Sequence, residues 1–225
     1  MMEPYDDRRH AGRVLAARLG TLRGNQGLLV LGLPRGGVPV AAEIAQALAA
    51  PLDIVVVRKV SIHGYPEVAM GALAAVAGTI TTVQNPELIA EVERRGGGFA
   101  DFEDAAARER VELARRERVY RGGRPGLDVS GRIVVVVDDG VATGATMRAA
   151  VSALRSLEPE RIVVAVPMCL PGALAGLQEV ADEVVCPWLP ERFFSVGQAY
   201  KRFDQTSDLE VQSILGSAPA GDSRN

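Results

Sequence analysis

Aromatic side chains make up only 4% of this 225-residue chain, and cysteine and histidine occur twice each. Cys169 and Cys186 form no CxxC pair. With His10 and His63 they offer neither a zinc-ligand spacing nor a Ser-His-Asp constellation. Two isolated thiols at the ends of apolar runs read as small core residues rather than a disulfide. No apolar stretch reaches the length of a membrane-spanning helix. The opening MMEPYDDRRHAGRVL carries acids early and lacks an apolar signal core, so a cytoplasmic protein with no membrane partner is expected. A net charge of −3 gives no general attraction for nucleic acid or anionic lipid. Lysine is short too: of 25 basic residues only Lys59 and Lys201 are lysine. A lysine kept against that bias suggests a place where a compact ammonium is wanted, a reading applied to Lys59, while Lys201 is taken as chance.

Apolar residues make up 48%, enough for one sizeable core. Short β-branched runs at 28–33, 54–57, 133–137, 162–166 and 183–185 read as buried strands. Helical patterns at 40–49, 147–157 and 172–180 fall between them, and another at 6–19 precedes them. This alternation predicts an α/β fold with a parallel sheet and right-handed crossovers. Ligands of such sheets bind at the carboxyl ends of the strands. Residues 71–76 and 79–83, joined near Gly78, read as a hairpin. A single domain is expected over residues 1–215, with a disordered tail at 216–225.

The most informative stretch is residues 134–146, VVVVDDGVATGAT. A buried strand ends in Asp138 and Asp139, a loop of small residues follows, and then a helix. Gly140 and Gly144 permit a turn and close backbone approach, Thr143 and Thr146 add hydroxyl donors, and the helix N-terminus favours an anion. The two carboxylates cannot bind phosphate. They are acceptors suited to a vicinal diol or a hydrated Mg²⁺. A phosphate cradle beside a sugar-hydroxyl clamp describes a ribose 5-phosphate.

This segment resembles the signature of type I phosphoribosyltransferases, enzymes that use 5-phosphoribosyl 1-pyrophosphate (PRPP). The resemblance implies that Asp138 and Asp139 hold the ribose and, through water, the metal. It implies that Gly140, Val141, Ala142, Thr143, Gly144, Ala145 and Thr146 bind the 5-phosphate. Arg35, Gly36 and Gly37, after the first strand, match the pyrophosphate loop, which in this family often has an unusual peptide geometry. Two glycines there allow positive φ and aim successive N–H groups at an anion. Arg58 and Lys59, read as ending the second buried strand, match an Arg-Lys pair near pyrophosphate. Arg35 and Lys59 are the candidate catalytic cations. The implied reaction transfers the phosphoribosyl group from PRPP, with Mg²⁺, to a nucleobase or other small nitrogenous acceptor. A homodimer is a candidate assembly. From Asp-Arg-Arg-x-Ala-Gly near the N-terminus to the C-terminal aromatic segment, residues 6–215 are similar to a group of uncharacterised bacterial phosphoribosyltransferases. Relatives that keep the PRPP motif as sensors or repressors supply the alternative, a non-catalytic PRPP-sensing regulator.

Other features carry two readings each. Residues 99–124 form a charged helix candidate, with seven arginines and three glutamates between Arg108 and Arg124. The simpler reading is a solvated helix held by i,i+4 pairs. The resemblance adds a helical flap insertion at 85–130, a lid over the substrate. Glu67 is a surface acid or a group that touches acceptor or metal-bound water. Trp188, Phe193 and Phe194 form a small hood that stacks on a base, or a satellite core. Ala142 stands where 6-oxopurine enzymes carry an aspartate, which disfavours hypoxanthine and guanine as acceptors.

Overall fold

The computed structural model describes residues 3–62, 65–94, 99–190 and 195–218, with the backbone alone at 62, 65–69, 93 and 99–101. Strands β1 (Leu28–Gly32), β2 (Leu52–Ile54), β6 (Ile133–Val137), β7 (Arg161–Ala165) and β8 (Glu183–Val185) form a parallel sheet in the order β2-β1-β6-β7-β8. Every residue of β1 and β6 is buried. That is why their sequences are continuous apolar runs instead of alternating ones. Successive side chains point to opposite faces. Val30, Val135, Val137 and Val163 pack under α1 (Arg8–Arg18) and α2 (Gly37–Leu48). Leu29, Leu31, Val134, Val136 and Val164 pack under α5 (Ala145–Arg155) and α6 (Pro171–Gln178). This is the expected α/β parallel sheet flanked by helices.

The chain departs from the expected strand at 54–57. Val55 still donates to the Gly32 carbonyl at 3.2 Å, but Val56 already pairs with Ala75 in a second sheet. That sheet is antiparallel and holds β3 (Val56–Ile62), β4 (Tyr65–Val76) and β5 (Thr79–Gln84). The expected hairpin is its β4–β5 edge, turning at Ala77 and Gly78 with φ of 53° and 82°. Two positive φ values in sequence are the geometry of a tight hairpin turn. Arg58 and Lys59 therefore lie within β3, opposite Leu73 and Ala72, and do not end a parallel strand. A continuous β-branched run cannot show where a chain changes sheets.

Between β5 and β6 the chain carries α3 (Pro86–Arg94) and α4 (Phe99–Arg121). Glu112 pairs with Arg115 and Arg116 on the exposed face of α4, as the solvated-helix reading expects. Its other face is a buried stripe of Phe102, Ala106, Leu113 and Tyr120 against the antiparallel sheet. At its end the Arg121 guanidinium donates to Asp53 Oδ1 at 2.6 Å and to Glu117 Oε1 at 3.0 Å. Asp53 Oδ2 accepts from the Leu127 amide at 2.8 Å, and Glu117 accepts from the Gly78 amide at 3.0 Å. One buried network thus joins β2, the hairpin turn, α4 and the chain returning to β6. The last helix, α7 (Asp208–Ser217), includes Gly216 and Ser217, which the sequence assigns to the tail; residues 219–225 lie outside the described ones.

Arg121→Ala leaves Asp53 and Glu117 buried without their cation. Loss of one partner of a buried ion pair costs about 3–5 kcal/mol. Urea unfolding should show a loss of that size, and a change under about 1 kcal/mol would show that the network contributes little.

Candidate active site

The carboxyl ends of β1 and β6, adjacent strands, bring two loops together. Asp138 and Asp139 follow β6 directly. Asp138 Oδ1 accepts the Asp139 amide at 2.8 Å, which sets the rotamer of the first acid. Burial pushes the Asp138 carboxyl well above the usual carboxylate range, and the neighbouring Asp139 charge pushes it further. Asp139 is raised by burial as well, against a downward pull from Arg8.

The loop that follows has little intramolecular use for its donors. Val141 is the exception: its amide donates to the Met168 carbonyl at 2.9 Å and anchors the loop to the end of β7. Among the described residues the amides of 142–147 make no hydrogen bond, since the first bond of α5 runs from Arg148 to Gly144. Gly144 sits at φ 79°, ψ −7°, a left-handed position that favours glycine, and no side chain caps the helix. Thr143 and Thr146 are exposed and their hydroxyls are unengaged among the described residues. A run of consecutive free amides at a helix start forms an anion cradle. Ala142 is exposed beside them.

The loop after β1 lies against the acids. A Cβ on Gly36 would overlap the Asp139 carboxylate, and one on Gly37 would come within 2.5 Å of the Val137 carbonyl. The need for glycine is therefore close approach and not positive φ: Gly36 has φ −63°, and Gly37 begins α2. The Gly37 amide donates to the Leu33 carbonyl at 3.0 Å, so it is a packing position and not a free donor. The amides of Arg35 and Gly36 remain unbonded among the described residues. The Pro34–Arg35 peptide is cis.

The candidate cations differ in how they are held. Arg35 makes a 3.3 Å pair with Asp208 at the start of α7, both half-exposed. Arg58 is tied to Glu109 of α4 at 2.6 Å. Lys59 is exposed and pairs with no described residue. Its sheet packs beside α5, the helix that follows the loop after Asp139.

Three residues at the site went unassigned in the sequence. Arg8 holds Asp139 Oδ2 through Nε at 2.9 Å and Nη2 at 2.8 Å. Tyr200 donates its hydroxyl to the Asp139 carbonyl. Phe203 stacks on Tyr200 with ring centroids 5.0 Å apart. Arg8 belongs to the Asp-Arg-Arg-x-Ala-Gly motif, which gave a signal but no role. Of the proposed hood aromatics, Trp188 packs edge-on against Tyr5 in a small satellite core with Met168 and Tyr200. Phe193 and Phe194 lie outside the described residues, as do His63, Gly64 and the Glu67 side chain. Cys169 is buried and Cys186 partly so, both are free thiols, and burial pushes them up to about 11 and about 12.

Among the described residues no group of three or more histidine, cysteine or acidic side chains could cage a metal. Two adjacent carboxylates suit an ion that keeps most of its ligands as water and substrate oxygens, as Mg²⁺ does.

The family model for the phosphoribosyl transferase domain matches residues 6–188. The chain is 44% identical over 218 residues to the "Putative phosphoribosyl transferase Rv0571c" of Mycobacterium tuberculosis, covering 96% of this chain and 47% of that protein. It therefore spans about half the length of the curated relatives it matches. The crystal structure of TT1426 from Thermus thermophilus superposes with a TM-score of 0.83 at 44% identity, over 95% of this chain and 98% of that one. The chain belongs to the phosphoribosyl transferase domain family.

Gly36→Ala places a methyl group where the Asp139 carboxylate lies, whereas a Cβ on Gly20 meets nothing within 4 Å. Gly36→Ala should cost about 1–3 kcal/mol in urea unfolding, and Gly20→Ala should stay within about 0.5 kcal/mol. Equal costs for both would mean that the two loops can separate freely.

Proposed function

We propose that this chain is a phosphoribosyltransferase that uses PRPP and Mg²⁺ to place a phosphoribosyl group on a nitrogenous acceptor and release pyrophosphate. The observation that carries the reading is the abutment of the two strand-end loops: Gly36 lies against Asp139, and the acids lead straight into the uncapped start of α5. A ligand spanning them needs an anion at each end and hydroxyls between, which is the pattern of PRPP.

In this reading the free amides of 142–146 and the hydroxyls of Thr143 and Thr146 donate to the 5-phosphate. Asp138 and Asp139 accept from the ribose hydroxyls. The Arg35 and Gly36 amides, the Arg35 guanidinium and Lys59 receive the pyrophosphate. Arg58, already paired with Glu109, supports the sheet that carries Lys59. The bond from ribose C1 to the pyrophosphate oxygen breaks with its electron pair going to pyrophosphate, a bond from C1 to the acceptor nitrogen forms, and the proton lost from the nitrogen passes to solvent. Asp138 and Asp139 would hold Mg²⁺ through water, and the ion when bound would supply positive charge to neutralise the leaving group. The protein's own contribution is positioning and fixed donors aimed where charge develops. Ala142 offers no carboxylate, which favours acceptors other than 6-oxopurines.

Mg²⁺-PRPP should raise the melting temperature, and a screen of nucleobases and small amines should find one that releases pyrophosphate. No thermal shift at millimolar PRPP would remove the PRPP reading. A shift with no pyrophosphate release from any acceptor would favour a PRPP sensor.

Asp138→Asn should weaken PRPP by about 1.5–3 kcal/mol, the worth of a charge-assisted hydrogen bond. The same change should stabilise the free protein at neutral pH. A folded-state carboxyl raised above its unfolded value near 4 binds more protons than the unfolded chain, so stability falls as pH rises through the raised value. Removing Asp138 removes most of that fall. Melting curves from pH 4 to 8 that coincide for parent and variant would show that burial of Asp138 carries no cost.

Lys59→Ala should lower turnover more than it weakens ribose 5-phosphate, because that ligand lacks the group Lys59 meets. Until an acceptor is found, Mg²⁺-PRPP affinity against ribose 5-phosphate affinity makes the comparison. Equal losses would give Lys59 a general structural role.

A further inference from the structure

The N-terminal motif Asp7-Arg8-Arg9-His10-Ala11-Gly12 has a structural account at nearly every position. Asp7 caps α1 by accepting the His10 amide at 2.9 Å. Arg9 reaches Glu43 of α2 at 3.2 Å, and Ala11 is fully buried. A Cβ on Gly12 would lie 2.6 Å from the Val40 carbonyl, so α1 and α2 touch backbone to backbone there. These contacts fix the first turn of α1 on α2, whose own start is the Gly36–Gly37 loop. What that turn delivers is Arg8.

The Arg8 guanidinium is held on several sides. Nε and Nη2 both reach Asp139 Oδ2, and Nη1 donates to the Asp204 carbonyl at 2.6 Å. Cζ lies 3.9 Å from the centroid of the Phe203 ring, in cation–π range. Its side chain is only 12% exposed and that of Asp139 15%. Asp139 Oδ1, by contrast, accepts from no described residue. A fork already satisfied by a carbonyl and a ring has little reason to leave when a ligand arrives.

We propose that Arg8 is a positioning residue for ribose recognition: it holds one oxygen of Asp139 and leaves the other for the ribose hydroxyls. This rests on the PRPP reading and assigns within it a residue from outside the two binding loops. The alternative geometry, a latch that PRPP must displace, gives the opposite sign and is an outcome of the test.

Calorimetric affinities would be measured for ribose 5-phosphate, Mg²⁺-PRPP and inorganic pyrophosphate, with the parent, Arg8→Gln, Arg8→Lys, Asp139→Asn and the Arg8→Gln/Asp139→Asn pair. Arg8→Gln should weaken both ribose ligands roughly ten-fold, the scale of one charge-assisted hydrogen bond, and leave pyrophosphate unchanged. Arg8→Lys should fall between, since an ammonium restores the charge without the planar fork; it also serves if Arg8→Gln does not fold. In the Asp139→Asn background Arg8→Gln should cost almost nothing further, because the two act as one unit. Tighter ribose binding, unchanged binding, equal loss of pyrophosphate, or a full Arg8 effect without Asp139 would each overturn the proposal. A parent that binds neither ribose ligand would sink the PRPP reading itself, and the positioning role with it.

Discussion

Two carboxylates stand side by side at the end of β6, a strand buried along its whole length. Burial and mutual repulsion both raise the cost of their charge. The surroundings answer that cost with a small number of groups. The Asp139 amide turns back to Asp138, and Arg8 supplies the cation beside Asp139. Tyr200 ties down the Asp139 backbone, and Gly36 leaves space for its carboxylate. Each of these comes from a different part of the chain, so the acid pair dictates how α1, the β1 loop and the segment before α7 meet. A site that binds hydroxyls tightly must keep acceptors free, and free buried acceptors are unstable by themselves. The partners that hold the pair together leave Asp139 Oδ1 without a described donor.

The second constraint is remote from the acids. β3, β4 and β5 form a small sheet that alone would be marginal, since a few strands need a covered face. α4 supplies the cover with its buried stripe, and the Asp53–Arg121–Glu117 network fastens that helix to the parallel sheet. The charged appearance of α4 conceals this. Arg115 and Arg116 face Glu112 on its own surface, its Glu109 takes Arg58 of β3, and Arg121 reaches inward to Asp53. The antiparallel sheet that carries Lys59 is thus a docked layer, covered by α4 and fastened through the buried ion network at the C-terminal end of that helix.

Residues 133–146 were legible because strand, acids and loop are contiguous, so local pattern and site coincide. β1, β7 and the helices α2, α5 and α6 were legible from local pattern too: the strands are unbroken apolar runs because both faces are buried, and the helices show their buried face as spacing. Three things were not. The break at Val55 lies inside an unbroken β-branched run, and only pairing partners distinguish one sheet from the next. The role of Gly36 was read as conformational freedom, when the demand comes from Asp139, far along the chain. Arg8 could be noticed in its motif but not assigned, because its partners are Asp139, Phe203 and Asp204. Contacts between distant segments leave no periodicity behind.

The shortage of lysine takes on physical meaning once the partners are known. Arg8, Arg58 and Arg121 each meet a carboxylate closely, at 2.8, 2.6 and 2.6 Å, and the planar fork suits such fixed pairing. Arg35 is held more loosely, with one contact at 3.3 Å. The Lys59 ammonium is held by no described residue. An ammonium on a flexible stem retains several rotamers, whereas a guanidinium locked in a fork does not. The described cations therefore differ in kind: planar forks are fixed against carboxylates beside the acid pair and along α4, and the one lysine of β3 keeps its charge exposed.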